Sequence, residues 1–134
     1  MTVTEAFYKK LADNLPAYGS PPTEVVAPEN IKPPGNWQNL KLPYVIHFPI
    51  SEDPMHAHGC LVTGRSWLYQ VSIFGSSMAS CNTVANVIRD IMGHVTTAEG
   101  IKVSYMDGRY LGKNDETGGV HHWAMDFRVT ESLA

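Results

Sequence analysis

Midway along this sequence the spacing of apolar residues changes from every second position to every third and fourth, and the change happens across three small residues. From Arg65 to Phe74, the side chains of Trp67, Tyr69, Val71 and Ile73 alternate with Ser66, Gln70 and Ser72, the period of a strand with one buried face. After Gly75-Ser76-Ser77, the residues Cys81, Val84, Val87, Ile88, Ile91 and Met92 follow one face of a helix. Ser77 is the expected N-cap and Gly93 the expected C-terminal stop.

The rest of the chain can be placed around that strand-to-helix unit. Thr2 and Glu5 have capping-box spacing, and Val3, Phe7, Leu11 and Leu15 recur at four-residue steps, which predicts a short amphipathic helix ending before Pro16. From Ala17 to Lys41 the chain carries Pro21, Pro22, Pro28, Pro33 and Pro34, with Gly19 and Gly35. It reads as a long connection, with a short strand at 24–27, and a loop of this length is usually functional or partner-facing. Tyr44, Ile46, Phe48 and Ile50 then alternate with Val45 and His47, in a strand opened by Pro43 and closed by Pro49. The stretch from His56 to Gly64 extends the following strand through a bend or bulge near Gly59 and Gly64.

The last third holds a strand from Ile101 to Leu111, a turn from Gly112 to Gly119, and a strand from Val120 to Val129. In the final strand Trp123, Met125, Phe127 and Val129 alternate with His122, Ala124, Asp126 and Arg128, so an antiparallel hairpin with one wet face is expected. The order is helix, long loop, two strands, helix, two strands. That predicts an α+β fold in which two helices pack on one face of a mainly antiparallel sheet of about four strands. At 134 residues the expectation is one domain spanning residues 1–134, with residues 17–41 as its long Pro-rich loop.

Charge and cysteine usage narrow the function. The formal charge is −3 and the basic residues are scattered singly, so tight binding to nucleic acid by one subunit is not expected. No apolar run approaches the roughly 18 residues of a membrane span, and the start, MTVTEAFYKK, lacks a secretory apolar stretch. The expectation is therefore a cytoplasmic protein with no membrane partner. Cys60 and Cys81 match no CxxC spacing, and reduced, buried thiols are expected.

His56, His58 and Cys60 form an H-x-H-x-C pattern that on a strand would point three ligands to one side. A small metal- or ligand-binding domain using this cluster is the alternative of another class. Structural zinc sites show four ligands at tight spacings, and the adjacent His121 and His122 would face opposite ways. No metal and no other cofactor is expected. No local signature of a nucleophile with its base surrounds Cys60, Cys81 or the serines. Asp107, Asp115, Glu116 and Asp126 read as solvated hairpin charges, and no catalytic residue is assigned.

Several segments together carry a family resemblance. They are Leu42-Pro43-Tyr44-Val45-Ile46, Ser51-Glu52-Asp53-Pro54, the strand from Trp67 to Phe74 leading into a helix, and the closing stretch from Asn114 to Val129. In this order and spacing the chain resembles the small tail-completion proteins of long-tailed phages and prophages, related to the lambda-like tail terminators. The resemblance implies a non-enzymatic virion subunit, assembled in a bacterial cytoplasm, that forms a ring of about six copies at the head-proximal end of the tail. Its implied partners are other copies of itself, the tail-tube protein and a head-completion or connector protein, with double-stranded DNA passing through the lumen. A head-tail joining or other minor tail protein of related fold is the nearer alternative. The candidate interface residues are Lys113, Asn114, Asp115 and Glu116 in the hairpin turn and Trp37 in the Pro-rich loop, which reads either as part of a subunit interface or as an anchor of its own loop under the domain.

Overall fold

A computed structural model describes residues 3–14, 31–32, 42–56, 62–96, 100–114 and 119–132. The elements run α1 (Val3–Asn14), β1 (Ile31–Lys32), β2 (Tyr44–His56), β3 (Val62–Gly75), α2 (Met78–Met92), β4 (His94–Thr96), β5 (Lys102–Asn114) and β6 (Val120–Ser132). The strands form one sheet in the order β1-β2-β3-β6-β5-β4. β1 is parallel to β2 and every other pairing is antiparallel. The fold is α+β, and the four long strands are those the sequence predicts. The short margins β1 and β4, two and three residues long, are too brief to show any period in the sequence.

Both helices contribute to one core on one face of the sheet. Phe7 and Leu11 of α1 and the stripe Cys81, Val84, Ala85, Ile88, Ile91 and Met92 of α2 are buried together with Tyr69, Val71 and Ile73 of β3 and Met125, Phe127 and Val129 of β6. Burial of side chains of this size stabilises by roughly 1.5–3 kcal/mol each. Aromatic rings organise the centre. Phe7 stacks on Tyr69 with centroids 4.1 Å apart and meets Phe127 edge-on at 5.8 Å, the arrangements that ring quadrupoles favour.

The start and stop of α2 are set by its flanking residues. Ser77 is extended, at φ −154° and ψ 164°, and its hydroxyl accepts a hydrogen bond from the Ser80 amide at 3.0 Å, as the sequence predicts. Gly75 lets the helix begin hard against the sheet, because a Cβ there would lie 2.9 Å from the Cys81 sulfur. Gly93 ends the helix as expected, and does so in a right-handed conformation. Its φ and ψ are −62° and −33°, its amide donates to the Arg89 carbonyl at 2.8 Å, and a Cβ would collide with that same carbonyl oxygen. The Gly93 carbonyl in turn accepts from the Tyr105 amide at 2.7 Å, tying α2 to β5.

The ends of β2 and β5 differ most from the sequence reading, and β6 also runs past Val129 to Ser132. β2 continues through Pro49 to His56, because proline is tolerated on a strand near a sheet margin, where a missing N–H breaks no central ladder. The register shifts between Pro49 and Ser51, which takes Ile50 out of the alternation that the sequence suggested. β5 extends to Asn114, with Lys113 paired to His121 and Asn114 to Val120. Lys113 and Asn114 are therefore strand residues and not part of the turn, since the β6 backbone opposite them offers partners for the ladder. The short strand expected at 24–27, the capping residue Thr2 and the apolar position Leu15 lie outside the described residues.

Candidate functional site

The face of the sheet opposite the helices was expected to be wet at least over the last hairpin, and its two halves differ. Tyr44, Phe74 and His122 are direct cross-strand neighbours on β2, β3 and β6. Their rings stack in a row, with centroids 4.8 Å and 4.4 Å apart and nearly parallel planes. The next row is Ile46, Ser72, Ala124 and Arg109, in which Ser72 and Ala124 are buried beneath their larger neighbours. Phe48 and Leu68, half-buried, continue the apolar half. Desolvation there raises the Tyr44 hydroxyl above its ordinary pKa and, with the nearby Arg109 charge second, lowers that of the His122 imidazole.

The other half is charged. Arg109 donates to Asp126 at 2.9 Å and lies 3.5 Å from Asp107, and Arg128 donates to the Ser66 hydroxyl at 3.3 Å. Asp126 is thus a half-buried ion-pair partner, a more specific place than the solvated charge the sequence suggests. The Arg109 guanidinium is held above its ordinary pKa first by the hydrogen bond to Asp126 and then by the charge on that carboxylate. As exposed pairs such contacts contribute little to stability.

The sheet margins carry exposed apolar side chains. β5 has register shifts between Tyr105 and Asp107 and between Tyr110 and Gly112. The residues left over in these bulges, Met106 and Leu111, are 49% and 50% exposed. Tyr110 sits between them in sequence, its hydroxyl 2.7 Å from His121 Nδ1. On the opposite margin Ile50, the left-over residue of the β2 bulge, is 48% exposed. Sequence alternation put Ile50 on the face of Tyr44, Ile46 and Phe48 and assigned no face to Met106 and Leu111, because a bulge shifts the register by one and the pattern then averages out.

The remaining sequence candidates fall as follows. Cys81 is buried on the helix stripe as expected, its sulfur directed at the carbonyl of His121 at 3.5 Å, and burial raises its pKa above the ordinary thiol value. A buried thiol with a raised pKa is poorly suited to nucleophilic attack. Among the described residues no three His, Cys, Asp or Glu side chains stand together as metal ligands. Trp37, His58, Cys60, Asp115 and Glu116, with the side chain of His56, lie outside the described residues. A surface depression lined by His94, Thr96, Lys102, Val103 and Ser104 has a volume of about 130 Å³, below the ~300–1,000 Å³ of ordinary ligand pockets. Among the described residues no helix is long and apolar enough to cross a membrane.

Comparison with known proteins places these surfaces on a familiar scaffold. No protein-family model matches the chain, and no curated protein matches it by sequence. Among solved structures it is similar to a chain of the virion of a native gene transfer agent particle, with a TM-score of 0.67 over 96% of this chain and 92% of that one. The two sequences are 13% identical, so what the chain shares with that phage-like virion component is its fold.

Proposed function

We propose that this protein is a structural subunit of a phage or phage-like virion, a tail-terminator or tail-completion protein that works as one copy in a ring. The observation that carries the reading is the shared fold, over nearly the whole of both chains, with a component of a gene transfer agent virion. The motif order that resembles the tail-completion proteins supports the same reading from the sequence side. Its chemistry would be burial and shape complementarity between like subunits, then with the tail-tube protein on one side and a head-completion protein on the other. One side of such a ring copies the contact another tube ring would offer, and the other side lacks it, so elongation ends. About six copies at −3 give a ring charge of about 6 × (−3) = −18, which suits passage of DNA without adhesion.

In this reading Trp37 and the hairpin tip, with Lys113, Asn114, Asp115 and Glu116, are contact residues. The experiment is complementation of a particle-producing strain lacking this gene, with tail lengths counted by electron microscopy. Loss of the protein should give overlong tubes or tails without heads. Normal infectious particles in its absence would reject the assignment.

A further inference from the structure

The small depression at the β4–β5 pair gathers hydrogen-bond donors from two strands. It is lined by His94 and Thr96 of β4 and by Lys102, Val103 and Ser104 of β5. Val103 is buried in the core, so Lys102 and Ser104 on either side of it stand on the face opposite the helices. Thr96 is directly opposite Lys102, and His94 is directly opposite Ser104. Residues paired in this way share a face of the sheet. One ammonium, two hydroxyls and one imidazole are therefore neighbours on a single patch.

The charge around the patch has one sign. No lining residue carries a carboxylate, and among the described residues Lys102 has no ion-pair partner. The two rows continue onto β6, where Thr130 is opposite Lys102 and Arg128 is opposite Ser104. Arg128 already donates to the Ser66 hydroxyl, so it adds positive charge beside the depression without serving as a ligand.

We infer that this patch binds one phosphate group, with Lys102 supplying the charge and Thr96, Ser104 and His94 supplying hydrogen bonds. A volume of about 130 Å³ admits a small ion and excludes a sugar or a base. Donors arriving from two strands can address several oxygens of a tetrahedral ion, whereas a planar carboxylate offers two oxygens in one plane. A lysine ammonium suits phosphate as a compact point charge. All four side chains come from one copy of the chain, so the site stands whether or not rings form. The phosphate can be a free ion or part of a DNA backbone. One such contact per copy is too few to hold DNA tightly, in keeping with a chain whose formal charge is −3.

Titration of the full chain with inorganic phosphate, followed by amide NMR at constant ionic strength against chloride, tests the site. Saturable shifts confined to residues 94–96 and 102–104 are expected. Lys102→Gln should weaken binding about tenfold, and Lys102→Arg should restore most of it. Glu99→Gln, in the β4–β5 turn outside the described residues, should leave the affinity unchanged or tighter. If Lys102→Gln disturbs the spectrum before phosphate is added, Thr96→Val combined with His94→Phe serves instead. A short DNA duplex separates the two sources. Shifts at the same amides, weakening with salt as for about one phosphate contact, assign the site to a backbone phosphate, and shifts with inorganic phosphate alone assign it to the free ion. Equal shifts with chloride, no saturation, or wild-type affinity in Lys102→Gln would each overturn the site.

Discussion

His47 Nδ1 lies 2.6 Å from the Tyr69 hydroxyl, and both side chains are fully buried. The imidazole stacks against Phe7 and Tyr8 of α1, at 5.9 Å and 5.6 Å between centroids. A titratable ring therefore forms part of the joint between the first helix and the sheet. Burial lowers its pKa to about 4.

That joint makes stability depend on pH with a definite sign. In the unfolded chain His47 titrates near 6.5, and in the folded protein at about 4. Above pH 6.5 both states are neutral and nothing is lost. As pH falls from 6.5 to 4 the unfolded chain takes up the proton and the folded one does not, so about 3 kcal/mol of stability is lost across that window. His122, whose pKa is also lowered, acts in the same direction. Melting curves from pH 7 to pH 4 should show a steeper loss for wild type than for His47→Phe, which keeps the His122 contribution. Equal slopes would remove His47 from the account.

The close approach of α2 to the sheet predicts a coupled pair. Gly75→Ala sets a methyl 2.9 Å from the Cys81 sulfur and should cost about 1–3 kcal/mol. Cys81→Ala in the same chain should recover part of that loss, because it vacates the same space. Additive costs in a double-mutant cycle would show that the two sites do not touch.

On β6 the alternation predicts unequal effects at adjacent residues. Phe127 is fully buried between Phe7 and Tyr105, and Phe127→Ala should cost about 3–5 kcal/mol. The sequence alone suggests that His122→Asp is harmless. The stack on Phe74 instead gives an expected loss of about 0.5–1.5 kcal/mol, well short of that for Trp123→Asp, which places a charge beside the core. Denaturant titration of the three variants checks the order, and equal loss at 122 and 123 would contradict the assigned faces.

The hairpin tip should matter for assembly more than for folding. Replacing residues 115–119, the stretch between the paired Asn114 and Val120, by Asn-Gly suits a tight type I′ turn and should leave the melting temperature within a few degrees of wild type. Particle assembly in complementation should nevertheless fail. Trp37→Ala should act the same way if Trp37 is an interface anchor, whereas lower monomer stability would make it an anchor of its own loop.

The long strands and α2 were legible because each repeats one period over enough residues to dominate its neighbours. Tyr69, Val71 and Ile73 on β3, and Met125, Phe127 and Val129 on β6, face the core as their alternation predicts. β2 was harder, since both of its faces are apolar: Val45 and His47 point to the core while Tyr44, Ile46 and Phe48 line the opposite face. Pattern alone cannot choose between two apolar faces. Ile50 was placed with Tyr44, Ile46 and Phe48, and Met106 and Leu111 were placed on neither face, because bulges break the period at all three positions. Lys113 and Asn114 were assigned to a turn on composition, and pairing with β6 made them strand.

Quantifying this chain in purified particles by mass spectrometry tests the central claim most directly. A tail-terminator or tail-completion ring requires a fixed, small stoichiometry of about six copies per particle, retained through density-gradient purification and absent from isolated heads. Particles of full infectivity that contain no copy of the chain would contradict it.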